Sequence, residues 1–248
     1  MSEGSREQQE LMRQQFFGDS YDIVKKSLIA WLSDFGQWVT HPMFTEAVKP
    51  GEAAAFLRLV GTPLLTELVL TPQTNRREYF SLCRTAGNLF LDPDTGVCLE
   101  PRRDKKSINY VFGPKLVDWC GLRPRALTLI FDQSYSRGSK DGIREKLAYF
   151  ADKKVYGFAY NSHATFLLLA TDSELVEQAR ERLLELSGLP ASRLVSVAKP
   201  KSWKTGVRPA IFAILNRRCD AVRLKVQENV GTRDLAAGII KQYRSGND

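Results

Sequence analysis

The chain has 248 residues, of which 43% are hydrophobic and 26% charged. Those proportions belong to a folded globular protein and exclude a wholly disordered or fibrous one. Its 36 Lys and Arg against 28 Asp and Glu leave a net charge of +8, which favours an acidic partner such as nucleic acid and also serves solubility. No apolar run approaches the roughly 18 residues of a membrane span, so no membrane partner is expected. The opening MSEGSREQQELMRQQ is polar and mixed in charge, unlike a secretory signal. Four cysteines, at 83, 98, 120 and 219, form no CxxC pair. Free thiols in a reducing cytoplasm are therefore expected, rather than a zinc knuckle or redox dithiol.

After a polar lead-in over 1–18, Tyr21, Val24, Leu28, Trp31, Leu32 and Phe35 put an apolar stripe on a helix over 20–35. Asp19 and Ser20 supply its N-cap and Gly36 its stop, while Lys25 and Lys26 fall away from Tyr21 and Leu28. A short strand over 37–44, a helix over 51–60 and a strand over 66–70 (TELVL) follow, then a basic, partly helical stretch over 75–87. Residues 88–91 read as an apolar strand ending in Asp92-Pro93-Asp94-Thr95-Gly96, and 100–109 as a charged loop. A short helix over 112–120 leads to a buried-type strand, ALTLIF over 126–131, closed by Asp132. A helix over 141–152 precedes two strands, 155–160 and 164–170, joined tightly enough to form a hairpin. A helix over 173–187 and a strand over 193–197 complete this part.

Strands alternating with helices predict an α/β fold: a doubly wound, mostly parallel sheet with helices on both faces, ending in an antiparallel hairpin. Residues 126–198 alone also read βαββαβ, the ferredoxin-like pattern. Residues 1–198 are expected to form the α/β domain and 199–248 a basic helical extension, which starts with KPKSWK and mixes Phe212, Leu215 and Val222 with arginines. Lys199, Lys201 and Lys204 around Trp203 read as a single-strand-binding cluster or as a basic linker docked by one Trp.

Two motifs carry a resemblance. Leu91-Asp92-Pro93-Asp94 stands where class I, Rossmann-like methyltransferases have a D-P-P-Y type motif at a strand end, followed by helix, strand, helix and antiparallel hairpin. Gly18-Asp19-Ser20-Tyr21-Asp22-Ile23-Val24-Lys25 resembles the N-A-D-x-x-K type helix of ribosomal-RNA adenine N6-methyltransferases. The chain is also similar to an uncharacterised bacterial and phage group with G-D-x-x-D-x-x-K and L-D-P-D-N-G motifs. The resemblance implies a Rossmann-like fold, S-adenosylmethionine as cofactor near Asp19, Lys25 and His41, and Asp92 as acceptor for the exocyclic amine of a base. Two departures stand out. The turn after the first strand, Thr40-His41-Pro42-Met43-Phe44-Thr45, has no glycine to let backbone approach the cofactor, and Asp94-Thr95 replaces the motif's aromatic.

Ligands in open parallel sheets bind outside the carboxyl ends of the strands. Asp92, Asp132 and His163 are the catalytic candidates on that rim, joined by His41, Asp94, Gln133 and Asn161. Each has a plainer reading: Asp92 to Gly96 as a turn, Asp132 as a helix cap, His163 as a solvated hairpin residue. Arg102, Arg103, Lys105 and Lys106 form the densest basic loop and are candidates for phosphate contact, or simply solvated. Asp92, Asp94 and Glu100 offer an alternative, a Mg²⁺-dependent nuclease in which carboxylates hold the metal and activate water. A non-catalytic nucleic-acid-binding protein on the same scaffold is the third reading.

Overall fold

The computed structural model describes residues 18–48, 51–84, 86–135 and 140–197. The expected extension over 199–248 lies outside the described residues.

Six strands form one sheet in the order β1-β2-β5-β7-β6-β8, with β1 Trp38–His41, β2 Asn88–Leu91, β5 Thr128–Asp132, β6 Tyr156–Asn161, β7 Thr165–Ala170 and β8 Leu194–Ser196. β1, β2 and β5 pair in parallel; β7 is antiparallel to both β5 and β6, and β8 is antiparallel to β6. Four strands (β1, β2, β5 and β6) thus run one way and two the other. The hairpin was legible because only a few polar residues separate two apolar runs. The four strands of the ferredoxin-like pattern continue through β2 to β1, so they are not a separate sheet. The order climbs from β1 through β2 to β5, then sets β7 inside β6 before ending on β8.

β2, β5 and β7 are buried at every position, which explains their continuous apolar runs: a strand covered on both faces has no polar side to alternate with. Successive side chains sort to two cores. Leu89, Leu91, Ile130, Leu167 and Leu169 meet α4 (Gly113–Leu122) and α5 (Lys140–Asp152) through residues such as Leu116, Trp119, Ile143 and Phe150. Phe90, Leu129, Phe131, Phe166 and Leu168 meet α1 (Ser20–Trp31), α2 (Glu52–Val60) and α6 (Ser173–Ser187) through Leu28, Phe56, Ala179 and Leu183. Each fully buried Leu or Phe contributes about 1.5–3 kcal/mol. Helices on both faces of a mixed sheet are therefore the observed architecture. Among the described residues no helix is long and apolar enough to cross a membrane.

Several elements differ from expectation. The first helix ends at Trp31 and continues as a 3-10 turn, Ser33–Phe35, before Gly36. Residues 66–70 form no strand. The neighbouring residues 63–65 take the outer side of β1, where the Thr40 N–H donates to the Pro63 carbonyl and the Leu65 N–H to the Thr40 carbonyl, each at 2.8 Å. The apolar residues of TELVL reflect packing of Leu70 into the core, not a ladder, and Leu68 is exposed. A small parallel pair, β3 Gly96–Cys98 with β4 Tyr110–Phe112, was missed because both segments are only three residues long. The basic stretch after 75 folds as a single turn, α3 Arg76–Tyr79, and a 3-10 turn, Ser81–Arg84.

Candidate functional site

The carboxyl ends of β1, β2 and β5 share one lip. Over it, the first turns of α1, the 42–48 loop and the start of α2 enclose a cleft of about 550 Å³. Asp92 follows β2 directly, and its N–H donates to the His41 carbonyl at 3.2 Å, extending the β1–β2 pairing by one step. Its side chain lies on the Phe90 side of the sheet, towards α1, and lines the cleft with Tyr21, Phe44, Phe56, Phe131 and Gln133.

Lys25 reaches the same point from α1. Its Nζ donates to Asp92 Oδ2 at 2.8 Å and to Asp22 Oδ1 at 3.1 Å, and it stands 4.7 Å above the centre of the Phe131 ring. Both side chains of the Lys25–Asp92 pair are about nine-tenths buried. Burial opposes the charge on Lys25, but Asp92 and Asp22 outweigh it and hold the ammonium above its usual pKa. Burial likewise raises Asp92 above the ordinary carboxyl value, against the pull of Lys25, with Asp22 and Asp94 adding to the rise. The group thus holds two carboxylates against one ammonium, and Asp92 takes up a proton more readily than a surface aspartate. Asp19 caps α1, accepting from the Tyr21 and Asp22 N–H groups at 2.8 and 3.1 Å, and Asp94 accepts from the Thr45 hydroxyl. Six carboxylates and one ammonium line the cleft.

The rim candidates divide. Asp92 and Asp94 line the cleft. His163 stands at the same lip, exposed, with its ring 4.8 Å from that of Tyr21 and its Nε2 3.3 Å from Ser20 Oγ. Asp132 and His41 lie at the same end of the sheet but on its other face. Phe131 points to the cleft, so Asp132, one residue on, points away by the twofold alternation of a strand. Asp132 is wholly buried and saturated: Oδ1 accepts from the Val97 N–H and from the Ser134 N–H and hydroxyl, and Oδ2 accepts from Lys146 at 2.8 Å. Burial lowers the Lys146 pKa against the pull of Asp132. Gly96 fits beside it only because it has no Cβ, which would stand 2.8 Å from the Asp132 Cα. His41 is also wholly buried, packed against Tyr79 and Phe80 with ring centres 4.8 and 5.0 Å away, and burial pushes its pKa down to about 4. Neither residue is positioned to touch a ligand in the cleft.

The turn after β1 bends without glycine because Met43 adopts the left-handed conformation, φ 50°, with its side chain fully buried. An L-residue there costs roughly 1–2 kcal/mol, which burial of the thioether offsets. Arg102 pairs with Asp104, while Arg103, Lys105 and Lys106 are exposed; neither this loop nor Glu100 lines the cleft. Among the described residues no group of three or more His, Cys, Asp or Glu side chains is arranged to hold a metal ion.

The sequence reading took Asp22 for a charge suited to the helix start and not for a partner of Lys25, and it placed Lys25 on the wrong face. The signal was present: Asp22, Lys25, Leu28, Ile29 and Leu32 follow helical spacing and are all buried, so a charged pair continues the inward apolar stripe. Family models, curated proteins and solved structures were compared with the chain, and none matches.

Proposed function

We propose that this chain is a nucleic-acid-directed protein on a Rossmann-like, methyltransferase-like scaffold, whose cleft takes S-adenosylmethionine and the base to be modified. The observation that carries this reading is the Asp92 carboxylate opening into a cleft at the carboxyl ends of parallel strands. The antiparallel β6–β7 hairpin follows in the order that the resemblance implies. A volume of about 550 Å³ suits a nucleoside-sized ligand. The aromatic walls suit flat rings, and the acidic lining suits the sulfonium and ammonium groups of the cofactor. Bound there, the cofactor would supply the methyl group. Asp92 would accept a hydrogen bond from the exocyclic amine of the base, and Tyr21 or Phe44 would supply the flat contact that Asp94-Thr95 lacks.

The same acidic lining repels phosphate, so the nucleic-acid backbone would be held outside the cleft. Arg103, Lys105 and Lys106 are exposed for that role, and residues 199–248 carry eleven Lys and Arg against four Asp and Glu.

Titration calorimetry with S-adenosylmethionine tests the reading, followed by transfer of a labelled methyl group to DNA and RNA. Heat with S-adenosylmethionine is expected, and transfer that fails in Asp92→Asn. An absence of heat at millimolar ligand would overturn it.

A further inference from the structure

We propose that Lys25 is the positioning residue of the cleft: bridging Asp22 on its own helix and Asp92 at the end of β2, it aims the Asp92 carboxylate and fastens the first turns of α1 as the cleft wall. The proposal rests on the cleft being the ligand site, but its principal readouts require no ligand.

The inward side of α1 changes character along its length. Leu28, Ile29 and Leu32 dock the later turns through apolar contact, at 0–5% exposure. The first turns instead present Asp22 and Lys25 to the sheet, each also below a tenth exposed. Apolar side chains there would dock the helix at less cost, since a buried ammonium must recover its hydration from partners. Lys25 does so with two carboxylates at 2.8 and 3.1 Å and the face of Phe131. Asp22 is itself held, its Oδ2 accepting from the Gly18 N–H at 3.0 Å. Among the described contacts Lys25 is therefore fixed from both sides, and Asp92 is fixed through it. A carboxylate without this partner could rotate about χ1 and χ2 and would lose its preference for the anion at this depth. The charged groups facing Asp92 are Lys25 and Asp22 from α1 and Asp94 from its own loop.

Carbon-13 NMR titration of the Asp92 carboxyl in the full chain, with folding checked by circular dichroism, tests the assignment. In Lys25→Met the Asp92 titration should move upward by about one pH unit or more, and in Lys25→Arg it should stay near the wild type. In Lys25→Ala, millimolar methylammonium should bring it back down by refilling the vacated place. Hydrogen exchange at amides 22–25 should quicken in Lys25→Met and return in Lys25→Arg. If Lys25→Met does not fold, Asp22→Asn keeps the test open: with the like charge gone and Lys25 undivided, Asp92 should titrate lower. An unmoved Asp92 titration in folded Lys25→Met, or in Asp22→Asn, would overturn the proposal. If the wild type binds no S-adenosylmethionine while these shifts occur, the proposed function fails and the positioning role stands.

Discussion

Two neighbouring strands end in an aspartate paired with a buried lysine at 2.8 Å, and the two pairs differ in almost everything else. Asp132 accepts four hydrogen bonds from four donor groups, which tie β5 to β3 and α5. Among the described residues Asp92 accepts from one side chain, Lys25, and it borders a cleft. The pair distance does not separate a buried structural acid from a cleft-facing one. The number of protein donors that saturate the carboxylate, and the face of the strand it occupies, do. Asp132 works as an internal strut, whereas Asp92 keeps acceptor capacity towards open space.

That contrast is breakable. The largest effect is expected at the saturated end: Asp132→Ala should cost about 3–5 kcal/mol in denaturant titration, because it strands a buried ammonium and the Val97 N–H. A loss below 1 kcal/mol would remove the distinction. Gly96→Ala should cost about 3 kcal/mol, since its Cβ meets Asp132 backbone and its φ is 129°. His41 comes next and predicts a pH dependence. Its folded pKa is about 4 against 6.5 unfolded. Above pH 6.5 it is neutral in both states. As pH falls from 6.5 towards 4 the unfolded chain takes up the proton and the fold does not, so stability drops by about 3 kcal/mol. In His41→Phe that part of the acid slope should vanish from stability measured against pH.

At the cleft end the effect on stability is smaller. Asp92→Asn should change unfolding free energy by about 1 kcal/mol, because Lys25 keeps Asp22 and the amide oxygen still accepts, while transfer of a labelled methyl group falls strongly. A large loss of stability would class Asp92 with Asp132. The smallest effect is at the exposed loop: Lys105→Ala and Lys106→Ala should each leave stability within about 0.5 kcal/mol. If the loop holds phosphates, each should lower the slope of log affinity against log salt by about 1.

Much of this fold was legible because β2, β5 and β7 are covered on both faces and some helices open on acidic caps. Asp19 and Asp172 accept from the first N–H groups of α1 and α6, and the β6–β7 hairpin followed from spacing alone. The lip was legible too, since every parallel strand offers its carboxyl end on one side. What chain order could not convey was which face each terminal residue takes. A slip of one residue turns a side chain from cleft to core, and Asp132 and His41 fall on the core side of Phe131 and Pro42. Lys25 was a cofactor-site candidate, but its face was misread for a related reason: only its phase with Leu28 and Leu32 shows that it turns inward. TELVL shows the converse error, where apolar residues sign for burial without a ladder partner.

The cover over β1 has a consequence for how copies of this chain meet. With the Thr40 N–H and carbonyl already engaged by residues 63–65, a strand arriving from another molecule finds those backbone groups occupied. Extension of the layer from that flank by intermolecular strand addition is blocked by the protein's own loop.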